Sequence, residues 1–152
     1  MNKLEYIPGD FVMTNGVPLG TAQNVVYRVT SSDPSKTLKL DDGTVLKGVV
    51  CLENIEGAEF GDKGYLSGDC CAWVKDIVPI NLVPEILEKN RWWSINGKYA
   101  LKIINANYVV LEFTEDGIDA YINEKTMLFT IKYIHELQNL LFGLDKSREI
   151  KV

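Results

Sequence analysis

Short runs in which hydrophobic and polar residues alternate fill the first half of the chain. Between residues 9 and 80 they are DFVMT, NVVYRVT, TLKL, TVLKGVVCL and CCAWVKDIVPI, with turn-forming residues between them. The alternation is clearest at Val25, Tyr27 and Val29, which would share one face of a strand. The Asp42-Gly43 dipeptide is typical of a tight hairpin turn. Five or so short antiparallel strands in about 70 residues predict a small SH3-like β-barrel.

The second half of the chain mixes two helical segments with strands. VPEILEKN predicts a short helix, because Pro84 suits the first helical position and Asn90 suits the C-terminal end. A hydrophobic period near 3.6 residues predicts a second helix within residues 130–144. Between the helices lie the strand-like runs RWWSI, KYALKII, YVVLEF, IDAYI and TMLFT, and REIKV follows the second helix. This order predicts a β-meander packed with one C-terminal helix, and then a tail strand.

These patterns predict an α+β fold that is predominantly antiparallel β. Residues 1-80 are expected to form the small β-barrel-like unit. Residues 81-152 are expected to form an α+β unit with a short helix, antiparallel strands, a C-terminal helix and the tail strand. The connector IVPINLVP is apolar, which favours two units docked as one compact body. A loose tether between the two units is the alternative.

The composition narrows the classes of function. The chain has 152 residues, 46% of them hydrophobic, so it can build a core in one domain or two very small ones. Its net charge of -5 disfavours nucleic-acid binding, because broad contact with phosphates requires basic residues. No apolar segment is long enough to span a membrane, and the N-terminus MNKLEYIPGDF lacks the features of a secretory signal. A cytoplasmic protein that binds neither nucleic acid nor membrane is expected.

The segment HELQN comes within one residue of the HExxH motif of zinc proteases. Such a site needs two histidines one helical turn apart, and His135 is the only histidine in the chain. No metal site, cofactor or known catalytic motif is therefore expected. On the helical wheel, Phe142 falls on the apolar arc and Leu140 falls outside it. His135 and Gln138 are expected at the edge of the core, where they would bond to backbone groups.

The chain has three cysteines, an odd number that includes the adjacent pair Cys70 and Cys71. Neighbouring residues of a strand point to opposite faces, so these two side chains are expected on different sides of a sheet. Their spacing with Cys51 fits no common zinc motif. Reduced, partly buried thiols are therefore expected.

Two adjacent tryptophans precede the Asn96-Gly97 dipeptide, which predicts a two-residue hairpin turn. The register that follows pairs Ile95 with Lys98, Ser94 with Tyr99, Trp93 with Ala100 and Trp92 with Leu101. Trp92 then faces the core, and Trp93 lies on the opposite face among three cations. These cations are Arg91, Lys98 and Lys102.

An indole among cations is a candidate platform for a protein partner, or for an anionic or planar small ligand. The alternative is that other parts of the chain cover this face. A slip of one residue in the register would exchange the roles of Trp92 and Trp93.

Two segments of the chain resemble a set of small uncharacterised proteins from Bacteroidetes genomes and their phages. The first, DIVPINLVPEILEKNRWW at residues 76–93, is similar to their segment I-x-P-I-x-L-T-P-E-I-L-E-K-N-G-[FW]. The second, at residues 130–152, is similar to their Y-[VI]-H-x-L-Q-N-L helix and short E-[IL] tail. Val83 replaces a helix-capping threonine, and Arg91 replaces the glycine that usually ends the helix. The resemblance implies a phage or mobile-element protein that works inside a gut bacterium, and it implies no activity.

The expected function is that of a non-enzymatic binding protein that acts on a host or phage partner, with antagonism of a host defence system as one form. A protein is the expected partner, and an anionic small ligand is the alternative. The expected binding residues are Trp93, Arg91, Lys98 and Lys102. The alternative class of function is a small enzyme with an unrecognised site, in which His135 acts as the acid/base.

Overall fold

The computed structural model describes residues 5–103, 107–123, 125–144 and 146–152. The chain divides into two compact units, Met1–Ile80 and Asn81–Val152. Each unit contains one five-stranded sheet in which the paired strands run antiparallel. The predicted α+β class with mainly antiparallel strands is therefore confirmed. None of the helices in these described ranges has the length and apolar character needed to cross a membrane.

The first unit is an open sheet. Its strands, in chain order, are β1 Phe11–Thr14, β2 Tyr27–Lys39, β3 Val45–Asn54, β4 Cys70–Trp73 and β5 Ile77–Pro79. A short 3₁₀ turn, Val74–Asp76, joins the last two strands. The strand order is β4-β3-β2-β1-β5, so β4 and β5 lie at opposite edges. A closed barrel requires its edge strands to pair, so the predicted SH3-like barrel is not confirmed.

Alternating burial along the strands builds the core of the first unit. Tyr27 and Val29 on β2 are buried on the same face as Val50 and Leu52 on β3. The β2–β3 connection contains the predicted turn, in which Gly43 has a φ of 92°, a value that favours glycine. The predicted hairpin at this position is confirmed.

A disulfide between Cys51 and Cys71 links β3 to β4. The two residues lie directly opposite each other in the register, which brings their side chains together on one face. Cys70 points to the other face and packs against the core as a free thiol. The prediction that neighbouring Cys70 and Cys71 point to opposite faces is thus confirmed.

The prediction of reduced thiols is wrong for Cys51 and Cys71. A disulfide between neighbouring strands depends on the β3–β4 register. The sequence does not predict this register, because a 15-residue connection separates the two strands. Disulfides persist mainly in oxidising compartments, so this bond counts against the predicted cytoplasmic location.

The second unit is a β-meander with two helices. Its elements are α1 Pro84–Lys89, β6 Trp93–Ile95, β7 Lys98–Lys102, β8 Tyr108–Thr114, β9 Gly117–Ile122, β10 Thr126–Ile131 and α2 Ile134–Gly143. The strand order β10-β9-β8-β7-β6 follows the chain, which confirms the predicted meander. The short helix also has the predicted start, with Pro84 in its first turn and Val83 as an N-cap that makes no side-chain bond.

The tail of the chain is held by side-chain amides. The amide of Asn90 donates to the carbonyl of Lys151 at 2.8 Å and accepts from its N–H at 2.8 Å. The amide nitrogen of Gln138 donates to the carbonyl of Arg148 at 3.0 Å. The predicted tail strand is wrong, because these side chains satisfy backbone groups that would otherwise pair with a strand. The predicted bond of Gln138 to a backbone group is confirmed, although the residue lies inside the core and not at its edge.

Helix α2 begins at Ile134, four residues later than the start of the predicted helical pattern. Glu136 explains this start, because its carboxylate accepts from the backbone N–H groups of Lys132 at 2.8 Å and Tyr133 at 3.0 Å. The helical wheel misplaced two side chains. Leu140 is buried, and Phe142 is 65% exposed and lies against the guanidinium of Arg148.

Helix α1 ends in a left-handed residue that is not glycine. Arg91 has a φ of 66°. Its N–H donates to the carbonyl of Glu88, and the N–H of Trp92 donates to the carbonyl of Leu87 at 3.0 Å. Together with the buried side chains of Trp92 and Leu87, these bonds form a Schellman motif, in which glycine is the favoured left-handed residue.

We expect Arg91→Gly to raise the free energy of unfolding by about 1 kcal/mol, because an L-residue with a side chain is disfavoured in the left-handed region. Arg91→Ala is the matched control, since it removes the guanidinium and keeps the Cβ. Urea denaturation of the two variants and the parent checks this. Equal stability of the glycine and alanine variants would contradict the conformational explanation.

We expect alkylation of the unreduced, denatured chain to label one of its three cysteines, Cys70, and reduction to expose all three. Mass spectrometry of the intact chain counts the labels. Cys51→Ser with Cys71→Ser should lower the free energy of unfolding by about 3 kcal/mol, the value expected for a loop of this length. Three labels without reductant would show that the bond is absent.

Candidate functional site

The turn between β6 and β7 sets the geometry of the candidate site. Asn96 and Gly97 have φ values of 51° and 80°, both left-handed as a type I′ turn requires. The register pairs Trp93 with Ala100, Ser94 with Tyr99 and Ile95 with Lys98. The pairing predicted from the Asn-Gly dipeptide is therefore confirmed for these three pairs.

The two tryptophans differ sharply in exposure. Trp92 is 6% exposed and Trp93 is 52% exposed. Paired residues share a face, so Trp93 lies on the same side of the sheet as Ala100, and alternation along β7 adds Lys98 and Lys102. The prediction that Trp92 is buried and that Trp93 shares a face with two lysines is confirmed.

The Trp93 indole lies against the ring of Tyr108. Their centroids lie 5.7 Å apart and the planes are tilted by 45°. Tyr108 reaches this position because it pairs with Lys102 across β7 and β8. Tyr108 is not among the site residues predicted from the sequence, because the β7–β8 connection contains no turn signal as specific as Asn-Gly.

The three predicted cations have different surroundings. The Lys98 ammonium lies 3.8 Å from the carboxylate of Glu112, so its charge is partly compensated. Lys102 is exposed and forms no ion pair with any residue of the described ranges. Arg91 is exposed at the end of α1 and lies outside β6. The alternation of side chains along a strand, which puts Lys98 and Lys102 on the face of Trp93, therefore does not apply to Arg91.

The exposed part of this face around Trp93 is the candidate binding surface. Across the sheet, Trp93 pairs with Ala100, and Ala100 pairs with Val110. Both of these neighbours are buried. Ile95, which shares the face with Trp93, is 48% exposed. We define the Trp93 surface as Trp93, Ile95, Lys102 and Tyr108.

His135 lies inside the second unit. It is 2% exposed, and its ring stacks on that of Tyr133 with centroids 5.8 Å apart. Burial lowers the pKa of His135 from its usual 6.5, and the carboxylate of Glu136 opposes this shift in part. A neutral imidazole in the core follows. Across the described ranges, no group of three or more potential ligand residues could hold a metal ion.

Comparisons with protein-family models, with curated proteins and with solved structures found no match to this chain. Its function is therefore inferred from the geometry of its surfaces.

We expect the chain to lose stability as the pH falls below about 6.5, the usual pKa of histidine, because the unfolded state then binds a proton that buried His135 does not. In His135→Gln the loss should be smaller between pH 7 and pH 5. Urea denaturation at a series of pH values measures the difference in the free energy of unfolding between the two chains. The contribution of the carboxylates is the same in both chains and drops out of this difference. Parallel pH curves for the two chains would contradict a lowered pKa in the folded state.

Proposed function

We propose that this chain is a non-enzymatic binding protein that recognises a protein partner through the Trp93 surface. The observation that supports this most is the 52% exposure of Trp93 next to a tryptophan that is almost fully buried. An indole left in water forgoes about 25 cal/mol for each Å² of apolar surface that burial would remove. A partner that covers the ring recovers this free energy.

The setting of Trp93 favours binding. Contact with Tyr108 restricts the indole before a partner arrives, so less side-chain entropy is lost on association. Tryptophan, tyrosine and arginine are the residues enriched at binding hot spots. Lys102 and Arg91 add positive charge at this edge of an otherwise acidic chain. An acidic patch of a protein fits this combination best, and an anionic small ligand is the alternative.

The biological setting belongs to the proposal as well. The resemblance of residues 76–93 and 130–152 to Bacteroidetes and phage proteins supports an origin in a phage or mobile element. Action on a host or phage partner, including antagonism of a host defence system, rests on the same resemblance. We place this action in the host cytoplasm, where the Cys51–Cys71 bond would have to resist reduction.

The finer class of the first unit is also proposed. Five antiparallel strands with a 3₁₀ turn between the last two support an SH3-like module that is open at its edges. The alternative function, a small enzyme with His135 as acid/base, has no observation in its favour. A proton donor must reach its substrate, and His135 is buried.

We expect Trp93→Ala to weaken partner binding by about tenfold or more, the effect of removing a hot-spot side chain. The measurement is affinity capture from lysate of a Bacteroidetes bacterium, followed by titration of the captured partner. Lys102→Glu should weaken the complex in the same direction. Phe142→Ala is the matched control for an exposed aromatic, and Lys36→Glu is the control for charge.

Stability measurements separate binding from folding in these variants. Trp92→Ala should cost about 3–5 kcal/mol because it leaves a cavity, whereas Trp93→Ala should cost far less. A folded Trp93→Ala variant that retains the partner would overturn the proposal. An equal loss of binding in Phe142→Ala would do so too.

A further inference from the structure

A second exposed apolar surface lies on the first unit, at its β1–β2 and β3–β4 connections. Leu19 in the first connection is 92% exposed, and Phe60 in the second is 89% exposed. The Phe60 ring meets the ring of Tyr65 edge-on, with centroids 6.0 Å apart. We call Leu19, Phe60 and Tyr65 the Tyr65 surface.

Buried groups hold these two connections in place. The hydroxyl of buried Tyr27 donates to the carbonyl of Gly64 at 2.6 Å and accepts from the N–H of Ala22 at 3.2 Å. One tyrosine thus ties both connections to the core. Gly64 has a φ of 71°, and a Cβ at this position would collide with the Tyr27 hydroxyl. Glycine is required here by both conformation and space.

An asparagine clamps the same connection from the other side. The side chain of Asn54 donates to the carbonyl of Leu66 at 2.6 Å and accepts from its N–H at 2.9 Å. Leu66 is buried, so the chain is anchored directly after Tyr65. The Cys70 thiol also donates to the carbonyl of Leu19 at 3.3 Å. The exposed side chains therefore stand on a pre-ordered backbone, which lowers the entropic cost of binding.

Tyr65 lines two open pockets of the surface. One has a volume of about 330 Å³ and also contains Val25, Ile55 and Ala58. The other has a volume of about 470 Å³ and also contains Leu19 and Leu66. Residues i and i+2 of an extended strand lie about 6.6 Å apart on one face, a spacing that lets two side chains straddle one aromatic ring.

The charge of the surface selects the kind of partner. The β3–β4 connection, residues 55–69, carries four carboxylates against one lysine, a net charge of -3. The acidic residues are Glu56, Glu59, Asp62 and Asp69. The β1–β2 connection, residues 15–26, has no charged residue. Anionic lipids are repelled by such a surface, whereas a basic segment is attracted.

We propose that the Tyr65 surface binds an extended, basic segment of a protein, with two apolar side chains at i and i+2 seated on either side of Tyr65 and lysine or arginine residues around them. This is a second recognition site, independent of the Trp93 surface. Its ligand has the opposite charge to the acidic partner proposed there.

Selection of random peptides from a phage-display library on the immobilised chain tests this. The enriched peptides should contain two apolar residues one position apart, flanked by lysine or arginine. A synthetic peptide of the enriched sequence should bind about tenfold more weakly to Phe60→Ser and to Leu19→Ser, as expected for a lost hot-spot side chain. Glu56→Lys should weaken it as well, and raising the salt from about 0.1 M to 0.5 M should lower the affinity.

Three controls make the outcome decisive. Val45→Ser removes an apolar side chain of the same unit that is 57% exposed, and it should leave the affinity unchanged. Trp93→Ala should also leave it unchanged, so a failure here is distinct from a failure of the Trp93 surface. Vesicles of anionic lipid should not retain the Trp93→Ala variant, which lacks the indole of the cationic surface. No enrichment, enrichment of acidic peptides, an equal effect of Val45→Ser or Trp93→Ala, or retention by the vesicles would each overturn the proposal.

Discussion

The register of the antiparallel strands is the constraint on which both units depend. Side chains alternate with a period of two, so a shift of one residue moves every side chain of a strand to the other face. In the second unit, the Asn96-Gly97 turn fixes the register and thereby buries Trp92 and exposes Trp93. In the first unit, the β3–β4 register places Cys51 opposite Cys71 and turns Cys70 to the core.

Polar side chains complete the fold where the strands and helices end. Asn54, Asn90 and Gln138 bond to backbone groups of irregular segments, and Glu136 does the same at the start of α2. A buried backbone group without a partner costs about 1–3 kcal/mol, so the partly buried bonds of Asn54 and Gln138 stabilise segments that have no strand beside them. At Asn54, the same bonds also order the connection that carries Phe60.

Each unit presents an exposed aromatic side chain that rests on a second aromatic ring. Trp93 rests against Tyr108 in the second unit, and Phe60 rests against Tyr65 in the first. Their surroundings differ in charge, because Lys102 and Arg91 lie near Trp93 while four carboxylates lie in the connection around Phe60. The overall charge of -5 describes neither surface. The local charges favour an acidic partner for the Trp93 surface and a basic partner for the Tyr65 surface.

The sequence by itself determined the features that depend on neighbouring residues. Asn96-Gly97 and Asp42-Gly43 predicted their turns because only a few residue types favour left-handed backbone, and Pro84 and Asn90 predicted the ends of α1. Tertiary structure decided what depends on distant residues. Three features join segments that are far apart in the chain. They are the Cys51–Cys71 bond, the strand pairing that leaves the first sheet open, and the side-chain amides that bond to the tail. Two further contacts also depend on distant residues. Tyr108 lies against Trp93, and Tyr27 bonds to both connections of the first unit. Local propensities act over a few residues, whereas the free energy of these contacts appears only when packing has brought the partners together.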